Sequence, residues 1–535
     1  MTILAALRGA RARSIARTPA PPAWLVVAGV LVAVLGLLPI GYLVALAASS
    51  EDALALVLRD RTLGVLARTL ALAATVTIAS VVIGVPIAWL TTRSDLPGRR
   101  WWTILVMLPL VVPSYVGGYA VVAAFGPRGA LQSLLEPLGV DRLPELYGFP
   151  GAALTLTLFS FPYVVLSVRG ALRRLDPAYE EVSRSLGRGS WRTFFTVTLP
   201  QLRPAITGGA LLVALYALAD FGAVSLLQFD SFTRAIFVQY RASFDPTLAA
   251  VLSLMLVACT AVVLLGEARL RGRARYHRSG GGAARRGRVV ALGPWRWPAF
   301  AACMLVVALA LGVPLATILF WLARGIGAGE PLALVWEPAL NSVVASALAA
   351  CLAVLASIPV AVLAVRHRGA LAATVERATY AGFALPGIVV GLAFVFVAAR
   401  YLPALYQTLP LLLVAYLVRF VPEAVGATRA SLLQVSPRIE EVARTLGRSP
   451  GAVLREVTLP IIRPGLVAGG ALVFLTAMKE LPTTILLAPT GFDTLAVRIW
   501  STTSEGFFAR AAPPALLMVI VAAASLWLLL RQERE

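Results

Sequence analysis

Twelve apolar stretches, each about 20 residues long, follow one another along this 535-residue chain. A helix needs about 20 apolar residues to cross the hydrocarbon core of a bilayer. Of all residues 59% are hydrophobic and only 14% are charged, which is too little charge for a soluble domain. The pattern predicts an all-α membrane protein with about twelve transmembrane helices, at 23–48, 64–91, 101–125, 149–168, 205–228, 246–266, 298–322, 339–364, 378–399, 409–428, 464–487 and 511–530.

A polar motif occurs twice between these stretches. Glu-Glu-Val-Ser-Arg-Ser-Leu-Gly begins at Glu180, and Glu-Glu-Val-Ala-Arg-Thr-Leu-Gly begins at Glu440. Thr-Leu-Pro follows each copy and ends at Pro200 and Pro460, so both parts repeat after 260 residues. The repeat predicts two related halves of six spans each: residues 1–266 with a polar loop at 172–204, a basic Gly/Arg linker at 267–297, and residues 298–535 with a polar loop at 432–464.

The arginines orient the chain in the membrane. The net charge is +21, but the arginines lie in short segments between apolar runs, which favours the positive-inside rule over nucleic-acid binding. With twelve spans, both termini, the linker and both polar loops lie on one side, which we expect to be cytoplasmic. The first apolar run is too long for a signal peptide and is expected to stay as a helix. Because six spans separate the repeats, the halves should be parallel and related by a pseudo-two-fold axis.

The first half carries an external insertion. Pro86 matches Pro359 and Pro109 matches Pro386 at larger offsets than 260, which leaves about 17 extra residues within 126–150. A simple loop insertion, a contact with a binding protein and a short re-entrant helix are all compatible with the sequence.

The repeated motif resembles the "EAA" loop of ABC importer permeases. The resemblance lies in a glutamate, a glycine six residues later and a later Leu-Pro, with Val182-Ser183 and Val442-Ala443 in place of the usual Ala-Ala. It implies a type I ABC importer permease fold in which the two loops dock cytosolic ATPases. The implied docking residues are Glu180, Glu181, Gly187, Leu199, Pro200, Glu440, Glu441, Gly447, Leu459 and Pro460.

The resemblance also implies the partners. No phosphate-binding Gly-x-x-x-x-Gly-Lys-Ser/Thr segment occurs in the chain, whose single lysine is Lys479. We therefore expect a permease subunit without enzymatic activity or cofactor of its own, two copies of a separate ATPase that carries ATP and Mg²⁺, and a substrate-binding protein outside. The alternative interpretation of the loops is a helical hairpin that only lies on the membrane surface.

Local sequence independently predicts how each loop folds. Asp176-Pro177 and Ser436-Pro437 are typical of a helix N-terminus with proline at its first position. Gly187 and Gly447 follow the helical segments and are expected to adopt positive φ. A helix, a sharp turn and a second amphipathic helix should result.

Ionisable residues inside apolar spans are costly and need a reason. Asp220 in the fifth span and Lys479 with Glu480 in the eleventh occupy equivalent places. Two interpretations remain open: the acidic groups line a cation path, or Lys479 merely neutralises Glu480. No metal site is expected.

The segment from Met478 to Ala496 resembles that of fused ferric-iron importer permeases, as does the segment from Asp220 to Ala223. The resemblance implies ferric iron as the cargo. Thiamine, phosphonate, polyamine and sulfate permeases are the alternatives, and an ATP-independent secondary carrier is a rival class without docking loops.

Overall fold

A computed structural model describes residues 21–110, 112–126, 129–138, 146–176, 178–242, 246–271, 289–331, 335–367 and 369–532. The central part of the predicted linker, at 272–288, lies outside the described residues. α-Helices dominate the described chain. Up to residue 271 they are α1 Ala23–Ala48, α2 Ala53–Val57, α3 Asp60–Arg93, α4 Arg99–Leu105, α5 Ser114–Phe125, α6 Ala130–Leu135, α7 Phe149–Arg174, α8 Ala178–Ser185, α9 Ser190–Thr193, α10 Leu199–Ala219, α11 Gly222–Leu226, α12 Phe232–Ala242 and α13 Pro246–Arg271.

The helices after the linker follow a similar order of long and short elements. They are α14 Arg296–Val307, α15 Val313–Gly327, α16 Trp336–Arg366, α17 Ala370–Ala381, α18 Gly387–Tyr401, α19 Leu409–Gln434, α20 Pro437–Thr445, α21 Pro450–Val453, α22 Leu459–Met478, α23 Pro482–Leu487, α24 Leu495–Ser504 and α25 Phe508–Gln532. π-Helical turns at Phe194–Thr198, Ala308–Gly312 and Leu454–Thr458 join neighbouring helices.

The predicted spans agree with the helices in most places. Within the described residues, nine helices are long and apolar enough to cross a membrane, or up to eleven if each of two bent pairs counts as one span. A shorter apolar helix at Phe508–Ala524 corresponds to the last predicted span. The architecture is therefore the predicted all-α membrane fold, although not every expected span is a single straight helix.

The spans predicted at 101–125 and 378–399 are bent. Arg99–Leu110 and Ser114–Ser133 meet at 93°, and Ala370–Ala384 and Gly387–Tyr401 meet at 104°. Prolines lie at both breaks, with Pro113 before Ser114 and Pro386 before Gly387. Because proline disfavours the helical conformation of the residue before it, it ends the first helix of each pair. A hydropathy window does not register such a break.

The fifth and eleventh spans end earlier than predicted. The apolar runs continue to residues 228 and 487, but α10 ends at Ala219 and α22 ends at Met478. A short helix follows each end, α11 in the first half and α23 in the second. Asp220 and Glu480 therefore lie in turns between two helices and not inside a continuous helix.

The described contacts separate into two units, each with its own apolar packing. The first comprises the chain up to Gly41, Val344–Phe383 and Leu409–Met478. One apolar cluster of this unit joins α1, α16, α17 and α19 through the buried side chains of Leu25, Val32, Val360, Leu363, Val375, Val421 and Val425. The second unit comprises Tyr42–Val343, Ala384–Thr408 and the chain from Lys479 onward.

Small residues allow close helix packing at the same position in both halves. A Cβ atom on Gly209 of α10 would lie 2.9 Å from the Cα atom of Val164 on α7, within the second unit. A Cβ on Gly469 of α22 would lie 3.2 Å from the Cα atom of Ala424 on α19, within the first unit. Because helices in lipid associate largely by close packing, these glycines fix the long helices that carry each polar loop.

Candidate functional site

The first polar loop begins with α8 and turns at Gly187. Gly187 has φ +79°, its amide donates to the Arg184 carbonyl at 2.9 Å, and the Arg188 amide donates to the Ser183 carbonyl at 3.3 Å. This pair of bonds is the Schellman arrangement, which satisfies the last carbonyls of a helix. The structure thus confirms the predicted positive φ at this glycine.

The second polar loop has the same turn. Gly447 has φ +82°, its amide donates to the Arg444 carbonyl at 3.0 Å, and the Arg448 amide donates to the Ala443 carbonyl at 3.2 Å. A Cβ on either glycine would meet no atom within 4 Å. Glycine is therefore needed for its backbone conformation and not for lack of space.

The predicted starts of the two loop helices differ in detail. Asp176 Oδ1 accepts a hydrogen bond from the Ala178 amide at 3.0 Å, whereas Pro177 lies outside the described residues. Ser436 occupies the N-cap of α20 with Pro437 in the first turn, but its side chain makes no capping hydrogen bond. The structure thus confirms Ser436 as the N-cap residue with proline in the first turn, and in the absence of a side-chain cap the proline favours the start of the helix.

Each loop is a hairpin whose two arms are the helix before the glycine turn and the segment after it. A glutamate in each loop faces inward and joins these two arms. The Thr198 hydroxyl donates to Glu180 Oε1 at 2.9 Å, and the Thr458 hydroxyl donates to Glu440 Oε1 at 3.0 Å. Each bond joins the helix before the glycine turn to the π-helical turn after it. Glu180 and Glu440 thus stabilise the hairpin, whereas Glu181 and Glu441 are exposed on its surface.

A second contact between the arms is polar in one loop and apolar in the other. Ser183 and Thr193, both buried, place their hydroxyl oxygens 3.0 Å apart. The equivalent positions in the second loop are Ala443 and Val453, which are also buried. The hairpin therefore keeps its shape with either pair, because the side chains have similar sizes.

The second loop is also held by a partly buried arginine of α16. Arg366 donates through Nε and one terminal nitrogen to Glu440 Oε1 at 3.2 and 3.0 Å, and to the Val435 carbonyl at 3.1 Å. Glu440 is only 6% exposed. Because the hydrogen bonds of this ion pair are charge-assisted and the glutamate is shielded from solvent, the pair fixes the loop to the end of a transmembrane helix.

The corresponding arginine of the first half makes a different contact. Arg93 and Arg366 have the same offset as Pro86 and Pro359. Arg93 is buried and donates to the Leu172 carbonyl at 3.0 Å. Its other terminal nitrogen has no hydrogen-bond partner among the described residues. The first loop is thus anchored where the Arg93 side chain donates to a backbone carbonyl of α7. The described residues show no ion pair between Arg93 and Glu180.

Each loop helix presents an apolar stripe to solvent, which the sequence analysis missed. The largest exposed fractions are 72% for Leu186 and 78% for Leu446. In each loop three apolar residues have the spacing i, i+3, i+7, which places their side chains on one helix face. This spacing in the sequence could have predicted the stripe. Its members are Tyr179, Val182 and Leu186 in the first loop and Ile439, Val442 and Leu446 in the second.

The second arm of each loop runs directly into a long helix. The π-helical turns Phe194–Thr198 and Leu454–Thr458 continue into α10 and α22 without a break. Leu199 with Pro200, and Leu459 with Pro460, form the first residues of these helices. A displacement of the exposed stripe can therefore be transmitted as a rigid-body movement to a transmembrane helix.

Asp220 and Glu480 cap the short helices that follow α10 and α22. Asp220 Oδ1 accepts from the amides of Ala223 at 3.0 Å and Val224 at 3.2 Å. Glu480 Oε1 accepts from the Thr483 amide at 3.0 Å. Both carboxylates are buried, so each has a structural task as a cap. Lys479 is partly buried and makes an interaction of its own.

Comparison with known proteins identifies the architecture. The model of the family "Binding-protein-dependent transport system inner membrane component" matches residues 80–276 and 353–534, one segment in each half. The Fe(3+)-transport system permease protein FbpB 2 of Haemophilus influenzae is 35% identical over 497 residues, which cover 92% of this chain and 94% of the relative.

Other relatives match less of the chain. The ferric transport system permease protein FbpB of Actinobacillus pleuropneumoniae is 25% identical over 84% of this chain and 68% of its own length. The molybdenum transport system permease protein ModB of Mycobacterium tuberculosis is 36% identical over 36% of this chain and 74% of its own length. The chain belongs to the family of inner-membrane components of binding-protein-dependent transport systems, as a multi-pass ABC importer permease with two fused halves.

Proposed function

We propose that this permease imports ferric iron, driven by ATP hydrolysis on separate cytosolic subunits. The observation that carries the cargo assignment is the match to an Fe(3+)-transport permease across 92% of the chain, including both halves. The resemblance of the segments at Asp220 and Glu480 to ferric permeases supports the same cargo.

The coupling step follows from the geometry of the loops. An ATPase subunit docks on each apolar stripe, because burying leucine and valine side chains on a partner is favourable. The glycine turn and the inward glutamate keep the stripe rigid. The movement then passes through the π-helical turn to α10 or α22. The loops, the linker and both termini face the cytoplasm, and a substrate-binding protein delivers cargo on the opposite side.

Asp220 and Glu480 are candidates for a cation path, in addition to their role as caps. Asp220→Asn with Glu480→Gln retains a side-chain oxygen that accepts the capping hydrogen bonds but removes both negative charges. A cation path predicts impaired iron uptake at normal membrane abundance. Normal uptake by this double variant would assign both carboxylates to capping alone.

A second cargo class is supported by relatives of half-length type. ModB and the probable sulfate transport permease cysT of Chlorokybus atmophyticus, 30% identical over 188 residues, carry molybdenum or sulfate in their names. Cargo of that class is an oxyanion and not a cation. The two hypotheses therefore predict opposite specificities.

Uptake in cells distinguishes the cargo classes. The permease is expressed with the ATPase and binding protein of the same genome in a host that lacks its own ferric importer. We expect uptake of radiolabelled ferric iron that excess molybdate and sulfate do not reduce. Uptake of labelled molybdate or sulfate without iron uptake would overturn the ferric assignment, and a Gly187→Val, Gly447→Val variant serves as the uncoupled control.

A further inference from the structure

The end of the interhalf linker is fixed to the turn after α3. The Val290 amide donates to the Arg93 carbonyl at 2.8 Å, and the Asp95 amide donates to the Val290 carbonyl at 3.1 Å. Asp95 Oδ1 also accepts from the Leu292 amide at 2.9 Å. Residues 290–292 therefore have a defined position beside residues 93–95.

This turn lies at the membrane boundary that carries the first polar loop. Arg93, the last residue of α3, donates to the Leu172 carbonyl at 3.0 Å. Leu172 belongs to the last turn of α7, which leads into that loop. The end of α3 is thus level with the end of α7, where a transmembrane helix leaves the hydrocarbon core.

Three exposed tryptophans surround the turn. Trp101, Trp295 and Trp297 are 72%, 70% and 66% exposed. Trp102 and Trp297 both contact the ring of Phe300, with centroids 5.2 and 6.1 Å apart, so α4 and α14 are packed together here. Tryptophan concentrates at membrane interfaces, where its ring lies in the headgroup region. Exposed tryptophans at such a boundary are typical of a surface that contacts lipid headgroups.

Basic side chains line an open cavity on the same surface. The cavity has a volume of about 500 Å³, and its lining includes Arg99, Arg100, Trp101 and Val289. Asp95 also lines it, but its carboxylate is engaged by the Leu292 amide. The guanidinium groups of Arg99 and Arg100, which both line this cavity, offer the kind of donors that match a phosphate. Arg296 also lies over the Trp297 ring, 5.8 Å from its centroid.

We propose that this surface, formed by residues 95–101 and 289–297, binds the phosphate of an anionic phospholipid in the leaflet that borders the polar loops. Positive charge, exposed tryptophans and a cavity of headgroup size occur together here. The equivalent place in the second half begins with Arg366 and continues into α17, which contains no tryptophan. The proposed site therefore lies in the first half, where the end of the linker contacts the turn after α3.

Native mass spectrometry of the purified full-length chain tests the proposal. The probes are phosphatidylglycerol, phosphatidylcholine and inorganic phosphate. The variant is Arg99→Gln with Arg100→Gln, and the matched control is Arg269→Gln with Arg377→Gln, which removes two exposed arginines from α13 and α17, whose sequences contain no tryptophan. Each arginine near a membrane surface contributes about fivefold to the affinity for anionic lipid. We expect phosphatidylglycerol binding to weaken roughly 25-fold in the variant and less than about twofold in the control.

The outcomes separate the possible ligands. Equal losses in variant and control, or no preference of the wild type for phosphatidylglycerol over phosphatidylcholine, would overturn the proposal. Displacement of the lipid by an equal concentration of inorganic phosphate would assign the site to free phosphate. If the variant keeps its lipid but no longer copurifies with the ATPase, the surface is a protein contact. Trp101→Leu, which retains both arginines, should weaken phosphatidylglycerol binding as well, whereas unchanged binding would contradict the role of the tryptophans.

Discussion

The two polar loops reach one shape through different interactions. The second loop is fixed by the Arg366–Glu440 ion pair, whereas Glu180 in the first loop accepts from Thr198 and Arg93 donates to a backbone carbonyl. The glycine turns and the inward threonine bonds are the same in both. Turn geometry is thus the common requirement, and the means of anchoring can differ between the halves.

Removal of Arg366 should have the largest effect. Arg366→Gln leaves the buried Glu440 carboxylate without its charged partner, which costs about 3–5 kcal/mol. Arg93→Gln should cost less, about 1.5–3 kcal/mol, because only the hydrogen bond from its guanidinium group to the Leu172 carbonyl is lost. Thermal unfolding of the two detergent-solubilised variants measures the difference.

A rescue variant checks that the ion pair itself is responsible. Arg366→Met with Glu440→Gln removes both charges and should recover most of the stability lost in Arg366→Gln. If Arg93→Gln and Arg366→Gln destabilise the protein equally, the proposed difference in anchoring is wrong.

Valine in place of the turn glycines should have an intermediate effect that is the same in both loops. Positive φ costs a residue with a Cβ about 1–2 kcal/mol, and the free space around Gly187 and Gly447 adds no steric penalty. Each single variant should lower ATP hydrolysis stimulated by the permease, and the double variant should abolish iron uptake. A double variant that transports at the parental rate would refute the docking function of the loops.

The smallest effect should come from making the first loop resemble the second. Ser183→Ala with Thr193→Val exchanges a buried hydroxyl pair for apolar groups of similar shape, which is nearly neutral. Thr193→Val alone leaves the Ser183 hydroxyl buried and should cost about 1 kcal/mol. Chemical unfolding measures both variants. A double variant that is less stable than the single variant would show that the hydroxyl pair itself is needed.

The features that could be predicted from the sequence are those that depend on residues close together in the chain. The structure confirms the glycine turns and most of the long helices, because hydrophobic runs and a glycine after a helical segment are local signals. The breaks after Ala219 and Met478 lie within continuous apolar runs. Hydropathy therefore placed Asp220 and Glu480 inside spans, whereas the backbone turns there and uses their carboxylates as caps.

Long-range contacts account for what the sequence did not reveal about the site. The pairing of Arg366 with Glu440 joins residues far apart in the chain, so no local pattern indicates it. Glu180 and Glu440 remain predicted docking residues, and the structure adds that their side chains accept hydrogen bonds within the hairpin. The exposed stripe was present as a helical spacing beside them, in Val182 with Leu186 and in Val442 with Leu446.

The central claim is that both apolar stripes dock the ATPase, and permease-stimulated ATP hydrolysis in proteoliposomes tests it most directly. Leu186→Asp with Leu446→Asp changes two exposed side chains and should leave thermal stability unchanged, but a charge in an apolar contact should reduce stimulation at least about tenfold. Leu186→Met with Leu446→Met keeps the contact apolar and should retain stimulation. Full stimulation by the aspartate variant, at normal abundance and stability, would contradict the account.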